Sequence, residues 1–318
     1  MKTGATKDKA SNALVPKLRF PEFRGDEEWT EMPLKAAAYI NPANRGLPES
    51  FVYIDLESVD AGQLKAKERI SRVGAPSRAQ RLVERGDIVY QVVRPYQRNN
   101  LLCEFDDDEN YVASTGYAQL RSKGSIRFLY QSIHTDSFVG RVIAKCTGSN
   151  YPAINSSDLA NIHLPIPPTL PEQKKIADCL GSLDELIAAQ GRKVDALKTH
   201  KRGLMQQLFP GEGETQPRVR FPEFQNAGEW ETKRVDEWGD VLAGKALAVN
   251  APGPLRPYLR TKNVLDGAID VQDVLTMPMT DAEFKRFEIL DGDVLLNEGQ
   301  SLHLVGRAAI YRSELGQR

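Results

Sequence analysis

The sequence predicts an α+β fold: a β-rich domain, a long heptad-patterned spacer helix, and part of a second domain of the first kind. Three observations carry this reading. The first is an internal repeat. Pro16-Lys-Leu-Arg-Phe-Pro-Glu-Phe23 returns as Pro217-Arg-Val-Arg-Phe-Pro-Glu-Phe224, six of eight positions identical at an offset of 201 residues, and Trp29 matches Trp230 at the same offset. Tyr53 to Leu64 then resembles Tyr258 to Ile269, and Gly86-Asp-Ile-Val-Tyr90 resembles Gly292-Asp-Val-Leu-Leu296, with the offset drifting only to 205 and 206. The second observation is a seam of Ile176, Leu180, Leu183, Ile187, Val194, Leu197, Leu204 and Leu208, spaced by fours and threes with Gln190 and Lys201 as polar interruptions. That spacing is a helix-pairing stripe. The third is a set of short β-rich runs before the seam, Phe51 to Leu56, Asp87 to Val93, Tyr111 to Arg121 and Ile162 to Ile166, each bounded by turn formers.

Taken in chain order, residues 1–15 are polar and expected to be a disordered tail, and residues 16–168 form the first domain. Leu164-Pro-Ile-Pro-Pro168 is a stiff, extended connection, because each proline ring fixes φ and restricts the residue before it. Thr169-Leu-Pro-Glu172 has the form of a capping box with proline just inside the helix start, so a helix is expected over 169–210, ending at Pro210-Gly211. At 1.5 Å per residue it would be a rod of roughly 60 Å. Gly181, Gly191 and Gly203 lower its intrinsic helicity, so it should depend on a packing partner. A polar linker, 211–216, leads to the second unit at 217–318, which is expected to be partial and to lack the counterpart of everything beyond about Asn110, including a second long helix.

Composition narrows the function. The 318 residues carry 42 Lys plus Arg against 43 Asp plus Glu, so the chain as a whole is no polycation and any nucleic-acid role must rest on local patches. One such patch is Leu64 to Asn100, with nine basic and three acidic residues. No apolar run approaches the ~20 residues of a membrane span, and the opening lacks an apolar signal segment, so a cytoplasmic protein without membrane contact is expected. Cys103, Cys146 and Cys179 are too far apart for a zinc or redox pair and are read as buried or half-buried thiols.

Catalytic constellations are not found. His134, His163, His200 and His303 lack metal-ligand spacing, and neither a Gly-x-Gly-x-x-Gly nor a Walker-type loop is present. Asn41-Pro-Ala-Asn44 faintly resembles the Asn-Pro-Pro-Tyr loop of amino-methyltransferases without its aromatic, and Glu283-Phe-Lys285 matches the tail of a nuclease motif that is common on solvated helices. Neither supports an active site. What remains is a recognition surface. Arg94, Tyr96, Gln97, Arg98 and Asn99 follow a predicted strand in a proline-stiffened loop, and these side-chain types suit base edges and phosphates. Asn150 and Tyr151 lie in a second small polar loop, and Gln300, Ser301 and Arg307 follow the matching strand of the second unit.

With these motifs in view, the sequence resembles the DNA-specificity subunits of type I restriction–modification systems. The resemblance rests on the two Pro-x-x-Arg-Phe-Pro-Glu-Phe…Trp openings, Val93-Arg-Pro-Tyr96, Ser114-Thr-Gly-Tyr-Ala-Gln-Leu-Arg121, Pro171-Glu-Gln-Lys-Lys-Ile-Ala177, Gly203-Leu-Met-Gln-Gln-Leu-Phe209, Gly292-Asp-Val-Leu-Leu-Asn-Glu-Gly299 and Gly306-Arg-Ala-Ala-Ile310. It implies target-recognition domains separated by long helices that set the distance between two halves of a bipartite DNA target. It implies a non-catalytic subunit with no cofactor of its own, S-adenosylmethionine being held by partner methyltransferase subunits, and a translocating restriction subunit as a further partner. The expected departure is a partial second target-recognition domain, so a homodimer through the spacer helix and a regulatory or inactive remnant are both weighed beside the bipartite reader.

Overall fold

The computed structural model describes residues 14–44, 46–246, 250–298, 301 and 304–316. Residues 1–13 of the tail expected over 1–15, together with Gln300 and His303, lie outside the described residues; Leu14, placed in that tail, is instead held by a two-bond antiparallel bridge to Trp29. The chain divides into two compact units at Met205/Gln206.

In the first unit, chain order gives β1 (Thr30–Pro33), α1 (Leu34–Ala37), β2 (Ala38–Ile40), β3 (Ser50–Ile54), β4 (Val59–Asp60), β5 (Gln63–Leu64), β6 (Arg69–Ser71), β7 (Ala79–Val83), β8 (Ile88–Gln91), β9 (Leu101–Leu102), β10 (Tyr111–Ser114) and β11 (Tyr117–Ser122). Then come α2 (Ile126–Ile133), α3 (Asp136–Ile143), α4 (Ser156–Ala160), β12 (His163–Ile166) and α5 (Leu170–Leu208). Two four-stranded sheets result, in the orders β6-β3-β10-β7 and β2-β11-β8-β9, with the β3–β10 pair parallel and the other pairs antiparallel. The single run expected from Tyr111 to Arg121 is two strands, because Thr115-Gly116 breaks it and sends its halves to different sheets.

Strand β8 explains the layering. Ile88 and Tyr90 on one face join Ala118, Leu120, Phe128, Ile133 and Phe138 in the core under α2 and α3, while Val89 on the other face joins Val52, Ile54, Ala113 and Tyr117 between the sheets. A period of two with both faces apolar is what a fully covered strand requires. Helices α2, α3 and α4 are each started by a side chain, Ser125, Thr135 and Asn155, that accepts a hydrogen bond from a first-turn N–H.

The long helix begins one residue after Thr169, whose Oγ1 accepts from the Glu172 N–H at 3.4 Å. The other half of the expected capping box does not form, because the Glu172 carboxylate turns to Arg19 and Trp29 instead. Seam residues Leu180, Leu183, Ile187, Val194, Leu197 and Leu204 are exposed and Leu208 is half-buried, whereas Ile176 packs against the domain core. Ile176 thus belongs to the junction between helix and domain. Cys103 is buried and Cys146 half-buried, as expected, but Cys179 stands exposed on α5, two turns beyond the buried Glu172.

The second unit contains β13 (Leu255–Tyr258), β14 (Leu275–Pro278), α6 (Asp281–Phe287), β15 (Val294–Leu296) and β16 (Ala308–Ile310), paired as two hairpins. A small core of Val264, Ile269 and Ala309 lies beside them.

Candidate nucleic-acid interface

The loop after β8 is built by a backbone that few residues tolerate. Arg94 and Arg98 both sit in the left-handed region, at φ 53° and 56°, on either side of a short 3₁₀ turn over Pro95–Gln97. Such a pair persists only when its surroundings hold it. Here Arg98 donates through its guanidinium to the His134 carbonyl at 3.0 Å and to Asp136 Oδ1 at 2.5 Å. Asn100 is buried; its Oδ1 accepts from the Gln91 N–H at 2.8 Å and its Nδ2 lies 3.1 Å from His134 Nε2. Gln91 in turn accepts from the Asn99 N–H and donates to Gln97 Oε1. His134 Nδ1 lies 2.6 Å from the Tyr130 carbonyl, and burial lowers the imidazole pKa, which favours the neutral ring with Nδ1 as donor and Nε2 as acceptor.

The second polar loop lies directly against the first. Ala153 bridges both Val93 and Thr147, the Arg94 N–H donates to the Pro152 carbonyl at 2.7 Å, and the Ile154 N–H donates to the Val92 carbonyl. The Arg94 guanidinium stacks on the Tyr151 ring at 4.3 Å from its centroid. Stacking leaves the edge of the guanidinium, with its donors, available to a ligand. Around it Tyr96 is 50% and Tyr151 65% exposed, and Gln97 and Asn150 are exposed as well. Arg94, Tyr96, Gln97, Asn150 and Tyr151 therefore share one surface, while Arg98 is engaged in holding the loop and Asn99 is half-buried beside it.

The second-unit candidates are less assembled. Ser301 is exposed and Arg307 half-buried, its backbone tied to Leu304 and Asn297. Asn297 is a buried brace whose Nδ2 donates to the Thr261 and Val264 carbonyls.

The basic stretch changes meaning in three dimensions. Lys67 pairs with Asp107, Arg69 with Glu109, Arg85 with Asp106 and Arg98 with Asp136, so four of its nine cations meet carboxylates that lie outside the stretch in sequence. Among the described residues, Lys65, Arg72, Arg78, Arg81 and Arg94 have no ion-pair partner; Lys65, Arg72 and Arg78 are exposed, and burial lowers the Arg81 pKa.

The family-type motifs are mostly structural. In Ser114-Thr-Gly-Tyr-Ala-Gln-Leu-Arg121, Arg121 grips the buried Asp87 through Nε at 2.8 Å and a terminal nitrogen at 2.9 Å, Gln119 donates to the same carboxylate at 2.7 Å, and Tyr117 donates to the Asp55 carbonyl at 3.2 Å. Asn41 is a brace, accepting from the Gln119 N–H and donating to Ser156, and Glu283 caps α6 through Thr280 while pairing with Lys245. Among the described residues no cluster of three metal-ligating side chains exists and no helix is long and apolar enough to cross a membrane. Gln91, Asn100, His134 and Asp136, which hold the loop, carry no signal in the sequence, since Arg98 and Asp136 are 38 residues apart.

Comparison with known proteins fits this picture. Residues 103–199 match the Type I restriction modification DNA specificity domain. The Type I restriction enzyme MjaVIII specificity subunit of Methanocaldococcus jannaschii is 28% identical over 139 residues, covering 42% of this chain and 32% of that protein. The Type I restriction enzyme HindI specificity subunit of Haemophilus influenzae is 26% identical over 139 residues, covering 42% of this chain and 30% of that protein. The aligned segment thus spans about a third of the length of either relative. A chain from a structure on complex assembly and conformational transition of the type I R-M system shares the fold, with a TM-score of 0.51 at 21% identity over 89% of this chain and 72% of that one. The repeated openings, the Pro-Glu-Gln-Lys helix start and the mixed α+β architecture with its 39-residue helix lead to one conclusion: this chain resembles the DNA-specificity subunits of type I restriction–modification systems.

Proposed function

We propose that the chain is a non-catalytic, sequence-reading subunit of a type I restriction–modification complex, and that its first unit reads one half of a bipartite double-stranded DNA target. The observation that carries the reading is the joined surface of Arg94, stacked on Tyr151, with Tyr96, Gln97 and Asn150 exposed around it. Arginine and amide side chains on a rigid loop suit base edges in the major groove, and an exposed tyrosine offers a stacking or phosphate contact. The second unit would contribute through Gln300, Ser301 and Arg307.

The exposed stripe on α5 supports a partner role. Leu183, Ile187 and Leu197 are each more than half exposed, which an isolated helix in water would not favour. The stripe is assigned to pairing with another helix, a second copy of this chain antiparallel about a two-fold axis being the simplest arrangement. The charged faces beside it are assigned to methyltransferase subunits, which supply S-adenosylmethionine and in turn recruit the restriction subunit.

The test is selection of bound sequences from a random duplex pool by the chain together with its methyltransferase subunits. An enriched motif that Arg94→Ala relaxes at one position supports the reading. Sequence-independent binding at every salt concentration would favour a remnant that docks partners without reading DNA.

A further inference from the structure

The loop that carries Arg94 begins and ends on two buried amide side chains, and both depend on one histidine. Gln91, the last residue of β8, and Asn100, just before β9, are 2% and 1% exposed. Asn100 Oδ1 accepts from the Gln91 N–H at 2.8 Å. Gln91 then holds the loop from within, its Oε1 accepting from the Asn99 N–H at 3.1 Å and its Nε2 donating to Gln97 Oε1 at 2.8 Å. Between these anchors the backbone enters the left-handed region at Arg94 and Arg98, a conformation that persists only while its supports do. Asn100 Nδ2 lies 3.1 Å from Nε2 of the half-buried His134, the residue that ends α2.

These contacts admit one form of the ring. Asn100 Oδ1 is committed to a backbone N–H, so its Nδ2, which has only hydrogens to offer, faces His134 Nε2 as a donor. The other ring nitrogen, Nδ1, lies 2.6 Å from the Tyr130 carbonyl, which can only accept. Both are satisfied by a neutral imidazole with its proton on Nδ1. A second proton, on Nε2, sets N–H against N–H, and turning the Asn100 amide over to meet it leaves the buried Gln91 N–H facing an amide nitrogen. The groups around the ring come from four elements. Arg98 of the loop donates to the His134 carbonyl and pairs with Asp136 at the start of α3, the Tyr130 ring of α2 lies 4.5 Å away, and Asp184 of α5 accepts from Gln131 at 2.6 Å. Burial, the largest effect, lowers the imidazole pKa; the Tyr130 and Arg98 backbones and the Asp184 charge oppose it, and the Arg98 charge adds to it.

We propose that neutral His134 is a positioning residue for the DNA-reading loop, and that a proton on its Nε2 releases the Asn100–Gln91 clasp, so that sequence-specific binding is lost in acid while the sheets persist. The inference rests on the reading of Arg94 as a base contact. His134 itself meets no DNA and acts through Asn100. The sign of the effect is diagnostic. Acid adds positive charge and so ordinarily strengthens the hold of a protein on phosphate, whereas release of this loop weakens selective binding and leaves sequence-independent binding in place.

The test follows the nitrogen-15-labelled full chain by NMR from about pH 7.5 to about pH 5, the range in which histidine alone among ordinary side chains titrates. His134 should carry its proton on Nδ1 at the upper end, and the amides of Gln97 and Asn99 should shift along its titration curve while Val89 and Leu120 in the sheets stay in place. His134→Gln, which keeps a neutral acceptor and cannot be protonated, should hold the loop amides at their upper-end positions throughout. The DNA probe is a random duplex pool, selected at both ends of the range by the chain with its methyltransferase subunits. Enrichment of the selected motif should fall about tenfold in acid for the wild type, as loss of one buried hydrogen-bond partner does, and should not change for His134→Gln. The wild-type titration decides the matter even where the variant fails to fold. A ring protonated on Nε2 at the upper end, a ring still neutral at the lower end, loop amides that do not follow His134, or an acid step retained in His134→Gln overturns the proposal. Loop amides that follow His134 with no motif enriched at either end support the positioning role and overturn the reading of DNA by Arg94 instead.

Discussion

The openings of the two repeats are a controlled comparison within one molecule. Residues 16–29 and 217–230 fold alike, with the same turn and the same arginine-to-carbonyl bonds, yet the Arg19 side chain is 8% exposed against a Glu172 of 1%, while Arg220 Nε has no hydrogen-bond partner among the described residues. Local sequence therefore sets the local backbone, and a partner distant in sequence decides whether that backbone becomes part of a core. The same contrast holds one motif further on. Asp87 and Asp293 both follow the glycine of a turn and both accept from the backbone N–H three residues earlier, Glu84 and Leu290. Only Asp87 is also clasped by Arg121 and Gln119 from β11.

The largest expected effect breaks this difference at its source. Glu172→Gln should free the first opening and lower the unfolding midpoint of the first unit by about 5 °C or more, since removing one partner of a buried ion pair leaves the other charge uncompensated. Arg220→Met, which removes only exposed hydrogen bonds to the Phe224, Ala227 and Gly228 carbonyls, should lower the midpoint of the second unit by clearly less. Calorimetry of both variants checks the pair.

Acid should do the same reversibly. The Arg19 guanidinium, followed by the Trp29 N–H, holds the Glu172 carboxyl below the usual carboxylate range against the opposing effect of burial. The stabilisation is therefore complete above the unfolded value of about 4.3 and is lost as pH falls through the folded pKa. Hydrogen exchange at the Trp29 N–H should accelerate in that range, whereas exchange at the Trp230 N–H should show no matching step. His134, whose pKa burial lowers, adds a loss of stability that begins as pH falls below its unfolded value of about 6.5.

Within the proposed DNA surface, the comparison is between free and engaged arginines. Arg94→Ala should cost about 1–3 kcal/mol of binding with relaxed specificity at one base pair. Arg98→Ala should weaken binding by disordering the loop, with a matching loss of amide protection at Gln97 and Asn99. Measured salt dependence distinguishes the two.

The smallest effect compares paired with unpaired cations. If the exposed Lys65 and Arg78 reach phosphate, replacing either with alanine should lower the salt slope by about one. Lys67→Ala removes a cation already matched by Asp107 and should leave the slope unchanged.

The chain order of elements was legible because periodicity is a local property. The seam from Ile176 to Leu208 and the Thr169–Glu172 start located α5 to within a residue or two, and short β-rich runs bounded by turn formers located β3, β8 and β12. The repeat was legible because identity at a fixed offset needs no structure. What pairs with what was decided only in three dimensions. The +6 charge of Leu64 to Asn100 is largely balanced by Asp106, Asp107, Glu109 and Asp136, which a count along the chain assigns elsewhere. Whether an arginine reads DNA, as proposed for Arg94, or braces a loop, as Arg98 does, depends on which carbonyl or carboxylate lies within 3 Å, and the chain reaches that neighbour only after folding. Hydrogen bonds and ion pairs act over a few ångströms of space without regard to separation along the sequence, so composition states which chemistry a side chain can perform and tertiary structure determines whether that chemistry is already used.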